Sequence, residues 1–201
     1  MGLILVLFLH CRWLNNIAMK FFILLIFGFT LHSSVFSQSN GPRALTPAAL
    51  TQIKSDVEKE AQVFRKTIGA QDLSAMEVNF AVDTFRIERI ASMRMNVDYS
   101  TAGMNQTVIE KAASYDRLLN KYYNLLMGAL KPADKAVLIS TQRAWISFRS
   151  AEKKLITTMA KTAYSGGGSI QSNIVNGRYA ELVVNRTLKI FNYYKDLVRE
   201  N

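Results

Sequence analysis

From Pro47 to the C-terminus, apolar residues recur at three- and four-residue spacing with almost no interruption. That period puts them on one side of an α-helix, and no stretch alternates convincingly as a strand. Only three prolines fall in 201 residues, so the periodic runs are long and few. The pattern predicts an all-α bundle of about five helices. Thr46-Pro47 is a helix start, with Thr as N-cap and Pro at the first helical position. The first helix covers Ala48 to about Thr67, with Leu50, Ile53, Val57, Ala61 and Phe64 on one face and Gly69 as its stop. Asp72 or Ser74 caps the second, which runs to about Met95, and Val97 to Gly103 reads as a connector. A third helix spans about Asn105 to Gly128, and Leu130-Lys131-Pro132 breaks it. The fourth is expected from Ala133 to Tyr164 without interruption. Ser165-Gly166-Gly167-Gly168-Ser169 is a turn, and the fifth helix covers Ile170 to Arg199.

The first 37 residues differ in kind. Met1 to Ala18 is apolar with Arg12 as its one charge, and Met19-Lys20 then precedes the apolar run Phe21 to Leu31. Lys20 is a short positive leader, and Val35-Phe36-Ser37 places small or neutral residues where signal peptidase reads. The expectation is an upstream extension plus a secretory signal peptide over 1–37, cleaved near Ser37, with Met19 as the start. The alternative is a membrane anchor built from the whole apolar run. The remaining divisions are a linker over 38–46, an N-terminal helical segment over 47–103 and a second helical domain over 104–199.

Within the fourth helix, Thr141-Gln142-Arg143-Ala144-Trp145-Ile146-Ser147-Phe148-Arg149 concentrates aromatic and cationic groups. Helical spacing aligns Gln142, Trp145 and Arg149, with Leu138 before them and Ile156 beyond. A guanidinium on a mostly apolar face needs a carboxylate to offset its desolvation. Asp116 and Glu181 are the two candidates. One reading is a core stripe held by a single internal Arg–carboxylate tie. The other is a binding surface anchored by Trp and Arg, both enriched at interaction hot spots. The paired tyrosines Tyr122, Tyr123, Tyr193 and Tyr194 read as core and boundary residues.

Cys11, His10 and His32 are the only residues of their types. Removal of residues 1–37 leaves a chain without thiol or imidazole, which excludes Cys–His and Ser–His catalysis and the usual zinc sites. No cofactor or metal is expected. Residues 38–201 carry 23 basic against 15 acidic residues, a net +8. The basic residues are spread along the chain, so no specific nucleic acid is expected as partner.

Asp116-x-x-Leu119-Asn120-x-x-Tyr123, then Leu130-x-Pro132, then Gln142-Arg143-Ala144-Trp145-x-x-x-Arg149, then the triple-glycine turn and Arg186 occur in one order and spacing. In this the stretch from about Met104 to Leu197 resembles the lysozyme inhibitor LprI-like N-terminal domain, a family of small exported helical domains. The resemblance implies that the last three helices form the family-like core. It also marks Asp116, Asn120, Tyr123, Gln142, Arg143, Trp145, Arg149 and Arg186 as motif positions. Family members often carry cysteines just after the Trp–Arg motif and in the last helix. Here those places read Glu152-Lys153 and Gly177-Arg178, so both halves of that disulfide are missing together.

These readings point to an exported, non-enzymatic binding or interaction domain of the cell envelope, inhibitor-like by resemblance. The alternative is an envelope-polymer hydrolase working with carboxylates alone. Lysozyme follows from the resemblance as a partner, but typical lysozymes are cationic and a +8 domain repels them at long range.

Overall fold

The computed structural model describes residues 41–199; the signal-peptide expectation over 1–37 lies outside them. Gly41–Asn201 clusters as one compact unit. Among the described residues there are six α-helices and no strand: α1 (Pro47–Gly69), α2 (Ala75–Val97), α3 (Thr101–Ala129), α4 (Lys135–Met159), the single turn α5 (Thr162–Ser165) and α6 (Ile170–Arg199). A 3-10 turn, Pro132–Asp134, joins α3 to α4. None of these helices is long and apolar enough to cross a membrane.

The starts follow capping chemistry. Thr46 Oγ1 accepts from the Ala49 amide at 3.1 Å, and Pro47 sits where no amide is needed. Ser74 and Glu77 form a reciprocal capping box at the head of α2. Ser100 Oγ caps α3 by accepting from the Gly103 amide at 3.0 Å. The helix therefore begins at Thr101, earlier than the expected Asn105, and the connector shrinks to Asp98–Ser100. Gly103 lies inside the first turn of α3 instead of ending a loop. The carboxylate of Asp98 occupies the space that a Cβ at this position would need, and it also accepts from the Ser100 amide at 3.2 Å.

The expected unbroken fourth helix is interrupted. α4 ends at Met159, Lys161 is extended (φ −63°, ψ 147°), and α5 adds one turn closed by Gly166 at φ 76°. No glycine or proline marks this break. It is set by the hydroxyl of Ser165, which donates to the Ala160 carbonyl at 2.9 Å and accepts from the Gly167 amide at 3.1 Å. Gly166, Gly167 and Gly168 all hold positive φ, a run that residues with a Cβ rarely adopt.

The core is centred on α3 and α6, which share the most extensive interface. They run parallel: Asn105 meets Ser172 and Asn176, Tyr115 meets Thr187, and Tyr122 meets Phe191. Tyr122, Leu119, Val183, Thr187 and Ile190 are almost wholly excluded from solvent. Phe80 of α2 stacks on Phe191 with centroids 3.7 Å apart, and Tyr122 meets both rings edge-on. Burial raises the Tyr122 phenol well above its ordinary range. α1 closes the other side of α2 through Ala61, Ile68, Val78 and Val82, with Phe64 stacked on Phe85 at 4.5 Å. Bidentate pairs Arg86–Glu58 and Arg89–Glu60 border that contact. Arg94 is buried and clamped end-on by Glu110 of α3, tying α2 to α3.

Gly103→Ala is expected to lower stability. Alanine gains about 1 kcal/mol of helix propensity over glycine, but the clash with Asp98 costs roughly 1–3 kcal/mol. Asp98→Ala in the same chain relieves the clash, so the double variant should lose less than the two single losses combined. Urea denaturation of the four chains checks this; strictly additive losses would contradict it.

Candidate functional site

α4 is the least embedded of the long helices. Only Leu138 and Ile156 are buried among its 25 residues. Between these two ends the helix rests on the polar and aromatic residues of the Trp–Arg motif. Arg149 Nη1 donates to Asp116 Oδ1 of α3 at 2.9 Å. Of the two expected partners Asp116 is therefore the real one, and Glu181 is exposed on α6. Asp116 and Glu181 lie on different neighbouring helices, and the register of α3 against α4 selects between them.

Two guanidiniums approach the Trp145 ring. Arg149 Cζ lies 4.6 Å from its ring centroid and Arg186 Cζ of α6 lies 5.7 Å away. Arg186 Nε and Nη2 both donate to Gln142 Oε1, at 3.1 and 2.9 Å. Asp116, Arg149, Trp145, Arg186 and Gln142 thus form one continuous network that bridges α3, α4 and α6. Arg186 makes no ion pair within 4 Å among the described residues. Its cation is held by a neutral amide and a ring face, and desolvation pushes its pKa down. The Gln142–Arg186 bond joins residues 44 apart, and nothing in local sequence specifies it.

The remaining motif residues separate. Tyr123 is half-buried and packs against the main core, as does Trp145. Asn120 and Arg143 are exposed. Phe148 and Ile146, which flank the stripe, are 52% and 43% exposed. Tyr193 is exposed too, with Lys189 Nζ 5.0 Å over its ring, so it belongs to neither core nor boundary. The Trp–Arg stretch is accordingly neither a buried core stripe nor an open hot spot. Its inner side is a half-buried tie and its outer side is solvent-facing.

Three shallow pockets border α4. One of about 420 Å³ holds the Arg149–Asp116 pair with Lys153 and Tyr179. A second, of about 430 Å³, lies between Leu126, Leu138, Ile190 and Arg186. A third is lined by Glu152 of α4 together with Arg178 and Glu181 of α6. No group of three or more His, Cys, Asp or Glu suited to a metal ion occurs among the described residues.

The fold and this network define a small all-α domain in which one peripheral helix is carried on a Trp–Arg platform. Residues 92–189, just short of half the chain, match the family model described as lysozyme inhibitor LprI. The match begins near the end of α2 and contains every motif position read from the sequence, so the resemblance holds over these residues. No curated protein and no solved structure matches the chain.

Arg149 is one-fifth exposed and Asp116 nearly half exposed, so the tie is screened and falls short of a fully buried pair. Arg149→Ala should cost about 1–2 kcal/mol, from a part-exposed ion pair and one cation–π contact. Arg149→Lys keeps a charge for Asp116 but loses the planar stack, and should fall between wild type and Arg149→Ala. Thermal melts decide; an unshifted Arg149→Ala melt would show that the pair carries no structural load.

Proposed function

We propose that this protein is an exported, non-enzymatic binding domain of the cell envelope that acts in an inhibitor-like manner. The observation that carries the reading is the match of residues 92–189 to a lysozyme-inhibitor family model. The geometry supports a division of labour within the motif. Gln142, Trp145, Arg149 and Arg186 hold α4 to the bundle. Asn120 and Arg143 stay exposed, and with the part-exposed carboxylate of Asp116 they offer an amide, a cation and an anion to a partner.

The partner class we favour is an envelope protein or polymer. The net +8 of residues 38–201 opposes long-range attraction to a cationic lysozyme. Glu152 and Glu181 do share a pocket, but Arg178 lines it too and weakens any local reversal of that field.

The test uses protein recovered from the extracytoplasmic fraction, with an intact mass beginning after Ser37. Purified peptidoglycan is incubated with it, alone and with added lysozyme, and an envelope extract is passed over it. The expected results are no release of soluble fragments by the protein alone and saturable retention of one envelope component. Removing both side chains in Asn120→Ala/Arg143→Ala should weaken that retention roughly tenfold or more without moving the thermal melt. Fragment release at catalytic protein levels would overturn the binding reading in favour of a carboxylate hydrolase. Inhibition of the added lysozyme would overturn the charge argument and identify the partner.

A further inference from the structure

A cleft of about 320 Å³ is lined by α1, α2 and α3 and shares no residue with the α4 motif. Five cations line it, Lys54, Arg86, Arg94, Lys111 and Arg117, against one carboxylate, Glu110. Three of these cations are already neutralised: Arg86 by Glu58, Lys111 by Glu88 and Arg94 by Glu110 itself. Lys54 and Arg117 meet no carboxylate at ion-pairing distance among the described residues. The Arg117 guanidinium donates only to the neutral Ser114 Oγ, at 2.9 Å. Two polar side chains that line the cleft are deeply buried and unsatisfied. Arg94 is 5% and Thr107 1% exposed, and neither Arg94 Nε nor Thr107 Oγ1 has a hydrogen-bond partner. Donors buried without an acceptor are costly and rare. Ile87, Ile90 and Ala91 supply the apolar part of the wall.

We propose that this cleft binds a phosphate group, carried on a small ester or on a lipid head. Charge is the first reason. Two uncompensated cations match the double charge of a phosphate monoester, and charge-assisted bonds from guanidinium and ammonium to phosphate are strong. Glu110 does not oppose this, because its charge is spent on Arg94; Arg94 and, more weakly, Gln106 and Lys54 hold its pKa down. The unsatisfied donors are the second, independent reason. An N–H and an O–H want acceptors, and a phosphate monoester presents three strong acceptor oxygens. A water of roughly 30 Å³ would also serve those donors, but it fills little of the cleft and leaves Lys54 and Arg117 uncompensated. Lys54 and Arg86 lie ahead of residues 92–189, so the cleft joins the family-matched region to the helices before it. The inference does not rest on the binding reading above, because Asn120, Arg143 and Asp116 lie outside the cleft.

Calorimetric titration and thermal melts with inorganic phosphate, against chloride at matched ionic strength, test the site on protein recovered from expressing cells. The expected result is saturable binding with a matching rise in Tm. Lys54→Gln/Arg117→Gln should weaken it roughly tenfold or more. Lys131→Gln/Lys154→Gln removes the same charge at exposed positions outside the cleft and should leave binding nearly unchanged. Thr107→Val keeps the shape of the side chain and breaks no hydrogen bond, so it should weaken phosphate binding without lowering the melt in chloride. Flotation with phosphatidylcholine vesicles, plain or carrying phosphatidic acid, separates the two sources. Co-flotation with phosphatidic acid that Lys54→Gln/Arg117→Gln abolishes assigns a lipid head; binding of glycerol phosphate without co-flotation assigns a free ester. Absence of saturable phosphate binding, equal losses in the two double variants, or unaltered binding by Thr107→Val would each overturn the proposal, the first leaving a buried water as the occupant.

Discussion

The whole structure hangs on the parallel contact between α3 and α6. Thr187 shows what that contact demands. It is fully buried, and its hydroxyl lies 2.8 Å from the Val183 carbonyl and 3.2 Å from the Tyr115 carbonyl. A hydroxyl is tolerated there because its proton has acceptors on both helices, and this fixes one register of α6 against α3. From that register follow the Tyr122–Phe191 contact, the seat for Phe80 of α2, and the distance at which α4 can approach. Parallel neighbours separated by so much chain need a crossover, and α4 with the glycine turn supplies it.

The peripheral position of α4 has an energetic consequence. A helix with two buried residues gains little from apolar burial, on the order of 1.5–3 kcal/mol for each. Its attachment therefore relies on the Trp145 platform and its two guanidiniums, one paired with Asp116 and one with Gln142. Interactions of this kind are individually modest. They are directional, however, and they set which side of α4 faces inward. The solvent-facing part of the helix carries Phe148, Arg143 and Lys154. The motif that ties the helix down thus also determines what the helix displays.

Much of this was legible from residue order. Thr46-Pro47 and Ser74 announced helix starts because capping is local chemistry, and the three-to-four spacing announced helices because one face had to meet a core. Arg149 demanded a carboxylate on desolvation grounds, and Asp116 was one of two candidates. What stayed hidden was decided at a distance. Arg186 meets Gln142 across 44 residues, and Arg94 is buried against Glu110 on another helix. The start of α3 at Thr101 depends on a glycine yielding space to Asp98, which reads from sequence as an ordinary loop ending. The break at Lys161 is set by hydrogen bonds of Ser165, downstream of the residues it interrupts. Tyr193, expected at the core or its boundary, is exposed because α6 turns Phe191 and Tyr194 inward instead.

The central claim is that α4 is held to a stable α2–α3–α6 core by the Trp145 platform. Hydrogen exchange followed by mass spectrometry, peptide by peptide, on wild type and Trp145→Ala tests it most directly. The account predicts that the amides of α4 exchange faster than those of α3 and α6 in the wild type. It further predicts that Trp145→Ala lowers protection in α4 by roughly tenfold or more, a loss of about 1.4 kcal/mol or greater, while α3 and α6 keep theirs. Equal loss of protection in all three helices would contradict it, because α4 would then be part of the cooperative core rather than a helix docked upon it.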